Sequence, residues 1–349
     1  MYQLLQLSPQ ALKKEIKAAK QFQEKKKFIF AMVLRSILLI LFAIAYIVLF
    51  SKIFGSENNS IAVGSFCMFL GIRFVSYGYE IKESLFSLGT VLSLMFLGGI
   101  VTSIRNSFLV FLLHFLFVWI ILLLIANEPI MGNAGIYVFS YLFIVENPVK
   151  NELLLTRFLS LICVFIICGT ILFLKHHTKN KDDHLIHIFR SFNLNNEKNI
   201  WQLRLALGIS SALFIGHLLD SPRIVWIGYA CMSVLLPFGH YGKQLSTRAF
   251  SRISAVIIGS ILFGVIISYL PEKYLFIVGP IAGLCIGFSD TNFWNNVLNC
   301  FGALLLASEL FGLSPSIQFR IQNNIIGAIL ALVFVFIFEI QRKSTVPNE

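Results

Sequence analysis

What this 349-residue chain has least of is charge: 13% of its residues are Asp, Glu, Lys or Arg, against 57% hydrophobic and a mean hydropathy of +0.81. That is too little polar surface to cover a water-soluble globule of this length, so the bilayer must be its solvent. The chain also lacks a glycine loop closing on Lys-Ser/Thr, which excludes ATP hydrolysis by the chain itself. A nucleophile elbow and a zinc-protease helix are missing too. Nothing therefore points to an enzyme or to a cofactor, and energy must come from a gradient or another subunit, or not be needed. The six cysteines, Cys67, Cys163, Cys168, Cys231, Cys285 and Cys300, all lie inside apolar runs. They have neither metal-site pairing nor the loop placement of a disulfide framework, and read as small packing residues. No cleaved signal is expected, because the first apolar run is too long for a signal core and "FSKIFGSENNS" after it offers no Ala-x-Ala site.

What is there is a series of apolar runs near the ~17–25 residues that carry a helix across the hydrocarbon core. The expected spans are 28–50, 61–77, 84–101, 107–126, 133–145, 154–174, 201–219, 224–238, 249–270, 273–288, 293–310 and 318–340. The run 133–145 is short enough to be tilted or re-entrant. The sequence predicts an all-α polytopic membrane protein of two parallel repeats, each of about six transmembrane helices. Its expected segments are a basic amphipathic head (1–27), a first repeat (28–175), a linker (176–199), a second repeat (200–341) and a tail (342–349).

The duplication rests on recurring marks. Each half opens with an arginine one turn into its first apolar run, Arg35 and Arg204. Each carries Tyr-Gly beyond its second run, Tyr77-Gly78 and Tyr241-Gly242, with Phe86-Ser87 and Phe250-Ser251 at equal distance beyond that. Duplicated membrane halves are a common transporter plan, with solute held at the repeat interface.

Lysine and arginine set the orientation. The head carries Lys13, Lys14, Lys17, Lys20, Lys25, Lys26 and Lys27 against Glu15 and Glu24. The linker, the loop 239–252 and the end of the chain, with Arg342 and Lys343, are basic as well. Both termini are therefore expected in the cytoplasm, and the net charge of +11 follows from topology with no nucleic-acid partner. Ser8-Pro9 reads as a helix start, and Leu12, Ile16, Ala19 and Phe22 as a face laid on the anionic inner leaflet. Leu185, Ile186, Ile188 and Phe189 suggest a short helix in the linker. The linker histidines His176, His177, His184 and His187 are metal-ligating types, but no carboxylate or cysteine stands at matching spacing, so no metal site is assigned.

Ionisable residues within spans are costly and serve as functional hypotheses. In "SIQFRIQNNIIGAILAL", Arg320, Asn323, Asn324 and Gly327 recur three, four and seven residues on, a polar stripe on one helix face. A guanidinium backed by carboxamides suits a carboxylate; the alternative is helix–helix bonding. Arg204 and Arg35 are either anion contacts or snorkelling anchors. In "SDTNFWNNVLNC", Asp290 reads as an N-cap, Asn292, Asn296 and Asn299 descend one face, and Trp294 offers an aromatic platform. The substrate-binding candidates are thus Arg204, Arg320, Asn323, Asn324, Arg35, Trp294, Asn296 and Asn299. Arg157, followed by the apolar "FLSLICVF", is expected to have no carboxamide beside it. His114 and Glu309 read as packing or rim residues.

At these residues the chain resembles the fusaric acid resistance, or aromatic acid exporter, family of bacterial inner-membrane proteins. The likeness runs through Arg204, Pro222, Trp226, a basic loop, Arg252 and Gly259, and again through Arg320 to Gly327; Ala255 stands where the family usually has glycine. The resemblance implies a multi-pass protein of the bacterial cytoplasmic membrane, exporting small organic, in particular aromatic, carboxylate anions. A passive organic-anion channel and a non-transporting scaffold in envelope synthesis are the alternatives. The lipid bilayer, a small organic anion and a second copy of the chain are the expected partners.

Overall fold

The computed structural model describes residues 1–190 and 192–345, with side chains as far as residue 340. The side chains of Arg342 and Lys343, and the end of the expected tail, lie outside the described residues. The protein is all-α and polytopic. A helix begins and ends within seven residues of each expected span: α3 (Phe22–Phe54), α4 (Asn59–Ile72), α5 (Ile81–Val101), α6 (Ser107–Ile125), α7 (Asn133–Glu146), α8 (Leu154–His176), α10 (Glu197–Leu218), α11 (Val225–Leu235), α12 (Gly242–Tyr269), α13 (Leu275–Phe288), α14 (Asn292–Phe311) and α15 (Leu313–Thr345). The short α1 (Tyr2–Gln6) and α2 (Pro9–Ala18) precede them, and α9 (Leu185–Arg190) forms in the linker as its apolar residues predict.

Among the described residues, six helices are long and apolar enough to cross a membrane: α3, α5, α6, α8, α12 and α15. The others are shorter or more polar. α7 has 14 residues and α11 has 11, about 21 and 17 Å at 1.5 Å per residue, less than the ~30 Å core.

The chain divides into two compact units, one formed by 1–45 with 250–322 and the other by 46–249 with 323–349. In the first unit α12 and α14 approach closely at Gly259, where an added Cβ would lie 2.6 Å from the Val297 carbonyl oxygen. Phe263 and Phe301 meet edge to face beside that crossing. Ser8 caps α2, its hydroxyl accepting from the Ala11 amide at 3.2 Å. Leu12 of the expected membrane face is instead fully buried in the protein, and Phe22 belongs to α3. Lys13 Nζ donates to Asp290 Oδ1 at 2.9 Å, and Gln10 Nε2 donates to the Asp290 carbonyl at 3.0 Å. Asp290 is therefore not the cap of α14. Thr291 is, its hydroxyl accepting from the Trp294 amide, and Asp290 is turned to the basic head.

In the second unit α10 packs against α6 and α11, α4 against α7, and α5 against α6, α7 and α8. Trp201 Nε1 donates to the last carbonyls of α11, at Leu235 and Leu236, and Gln202 Nε2 to those of Leu122 and Ala126 at the end of α6. Helix ends leave such carbonyls without intrahelical partners, so side chains of α10 fill the need. The recurring Tyr-Gly pairs share a local device. Gly78 (φ 87°) and Gly242 (φ 36°) both take positive φ shortly before, or at the start of, α5 and α12, a conformation that favours glycine.

Candidate functional site

Three arginines of the second unit have different surroundings, and the contrast defines the site. Arg157 is buried and committed to protein oxygens: Nε donates to Asn58 Oδ1 at 3.2 Å, Nη1 to the Asn147 carbonyl at 2.7 Å and Nη2 to the Glu57 carbonyl at 2.8 Å. The expectation that no carboxamide stands beside it is corrected. Asn58 supplies one from a segment 99 residues away, which spacing along α8 cannot reveal. Arg223, in the turn after α10, pairs with Glu146 at the end of α7, 3.1 Å apart.

Arg204 is the exception. It lies in the second turn of α10 and is 4% exposed, yet its Nε makes no hydrogen bond and the guanidinium has no ion-pair partner among the described residues. Tyr241 is its electrostatic neighbour, and the Glu339 carboxylate lies against the adjoining Gly242. A buried cation without a carboxylate is expensive unless an anion visits it.

Asn323 is placed elsewhere. Its Nδ2 donates to the carbonyls of Pro222 and Arg223 at 2.7 and 3.2 Å, and its Oδ1 accepts from the Ser221 hydroxyl at 2.7 Å. The carboxamide is thus spent on holding α15 to the turn after α10. Arg204 sits about 14 residues, or roughly 20 Å of helix, from that turn, so a small solute does not touch both. Asn324 is fully buried on the same helix, and Gly327 lets α15 close on α11 at Ile227 and Ala230.

In the first unit Arg320 is buried at 5% exposure. Arg252, in the third turn of α12, is also buried, and its Nη1 donates to Asn296 Oδ1 at 2.5 Å. This pairing gives Asn296 a structural bond that its own helix did not suggest. Trp294 and Asn299 are exposed on α14, and Arg35 is half-buried in α3. An open cavity of about 640 Å³ runs along α12 and α15, lined by Ser268, Ser314, Ile317, Gln318, Ile321 and Gln322 among others. None of the expected binding residues lines it.

Among the linker histidines, His176 is buried with Nε2 2.7 Å from the Ile72 carbonyl, and His177 Nδ1 is 2.9 Å from the Phe173 carbonyl. His184 lies beside two carboxylates that linear spacing did not reveal, Glu80 and Glu83. His114 is buried, its Nδ1 2.5 Å from the Tyr141 hydroxyl. Glu309 is exposed.

Residues 211–334 match the family model described as fusaric acid resistance protein-like. The chain matches no curated protein and no solved structure. The matched stretch includes Pro222, Trp226, Arg252, Gly259 and Arg320 to Gly327, so most of the residues that carried the sequence resemblance fall within it. With six long apolar helices among the described residues, the protein is a multi-pass membrane protein.

Proposed function

We propose that this chain, fusaric acid resistance protein-like over residues 211–334, exports small organic carboxylate anions, aromatic ones in particular, across a bacterial cytoplasmic membrane. The observation that carries the reading is Arg204: a buried guanidinium with an unbonded Nε and no acidic partner among the described residues, in a fold that satisfies Arg157 and Arg223 with its own oxygens. Its forked donors match a carboxylate, and low surrounding dielectric strengthens that attraction.

Within the first unit, Arg320 is proposed as a separate cationic contact with Arg35, Trp294, Asn296 and Asn299 as further solute contacts, and Asn324 is proposed as a solute contact of the second unit. Asn323 contributes by fixing the helix that bears Arg320. The sequence halves 28–175 and 200–341 are proposed as parallel repeats, with both termini in the cytoplasm and two copies per assembly.

Uptake and efflux of a panel of aromatic acids in proteoliposomes test this. Saturable, gradient-coupled flux supports export. Fast passive flux makes the protein a channel, and no flux with any acid makes it a non-transporting partner.

A further inference from the structure

We propose a divalent transition-metal site at the start of α5, formed by Glu80, Glu83 and His184. Ligand atoms of the three residues all lie within 4.8 Å of one another. His184 Nδ1 is 3.5 Å from Glu83 Oε1 and 3.7 Å from Glu80 Oε2. These separations are long for hydrogen bonds. They are close to the edge of a tetrahedron whose centre is ~2.1 Å from each nitrogen or oxygen, about 3.4 Å.

The surroundings favour a cation. Glu80 and Glu83 place two carboxylates within a few ångström, and among the described residues no lysine or arginine pairs with either. An imidazole nitrogen with two carboxylate oxygens suits zinc and its first-row neighbours. The ligands are also held without the ion. The Glu80 amide donates to the Asp183 carbonyl at 2.8 Å, and the Leu185 amide donates to Glu83 Oε2 at 2.5 Å. These bonds staple the segment on both sides of His184 to the first turn of α5, so binding an ion orders little further chain. The side chains are partly exposed, 45% for His184, 29% for Glu80 and 32% for Glu83, which leaves an open side for water ligands. The rival reading is a protonated His184 bridging two helix-start carboxylates with no ion at all.

Calorimetric titration of Zn²⁺ into the tag-free, detergent-purified full chain decides between them. The expected result is a single saturable site, weakened at least ~10-fold in both Glu80→Gln and His184→Ala, a loss that even residues supporting a ligand can cause. Size-exclusion elution and thermal unfolding without zinc check that the variants are folded. Should His184→Ala fail that check, Glu83→Gln replaces it, since its amide oxygen still accepts from Leu185. No saturable binding by the parent chain, or a loss in only one of the folded variants, overturns the proposal. Transport is not read, so the outcome is independent of the export reading.

Discussion

Arg157 Nε and Asn58 Oδ1 are 3.2 Å apart, and this bond completes a set of three by which a buried guanidinium ties the start of α8 to the segments before α4 and after α7. Arg157→Gln should therefore destabilise the protein by about 3 kcal/mol or more, because two carbonyls and a carboxamide lose a charged donor in a buried place. The measurement is thermal unfolding in detergent. Unchanged unfolding would show that these bonds contribute little.

Asn323→Leu belongs to the same class. Its carboxamide makes three bonds to Ser221, Pro222 and Arg223, so the leucine variant should lose about 1–3 kcal/mol of stability while any folded fraction keeps its solute affinity. A loss of affinity at full stability would return Asn323 to the solute's path.

Gly259 has backbone where its side chain would go. In Gly259→Ala the methyl meets the Val297 carbonyl oxygen at 2.6 Å, and neither helix can yield a backbone atom cheaply. A cost of about 1–3 kcal/mol is expected by unfolding. Gly302, where a methyl would have nothing within 4 Å, is the control that should tolerate alanine.

The basic head is held through a titratable contact. The hydrogen bond from Lys13 keeps the Asp290 carboxyl below its ordinary range. A depressed folded value means the contact's contribution is present above the unfolded carboxylate value of about 3.9 and is lost as pH falls through the lower folded value. Amide exchange across 9–18, corrected for intrinsic rates, should accelerate as pH falls below the ordinary carboxylate range and also in Lys13→Gln at neutral pH. Equal protection in that variant would remove the contact from the account.

Helix positions were legible because each apolar run is a local signal of length and composition: even α7 and α9 fall where their own residues put them. The Ser8 cap was legible for the same reason. What local pattern does not encode is which polar group another segment brings. Asn58 reaches Arg157 across 99 residues, Glu83 reaches the Leu185 amide across 102, and Asn323 is consumed by a turn 101 residues upstream. Periodicity put Arg320 and Asn323 on one face, but it does not say that the asparagine's bonds are already filled. Arg204 was visible as an intramembrane charge, and only the fold distinguishes it from Arg157.

The most direct test is efflux from proteoliposomes carrying the parent chain, Arg204→Gln or Arg204→Lys, with the aromatic acid that the parent transports best. The account predicts that the glutamine variant inserts and unfolds like the parent but loses flux, and that lysine restores only part of it, because it lacks the fork that matches a carboxylate. Parental flux in the glutamine variant would contradict the claim and leave Arg204 an anchor.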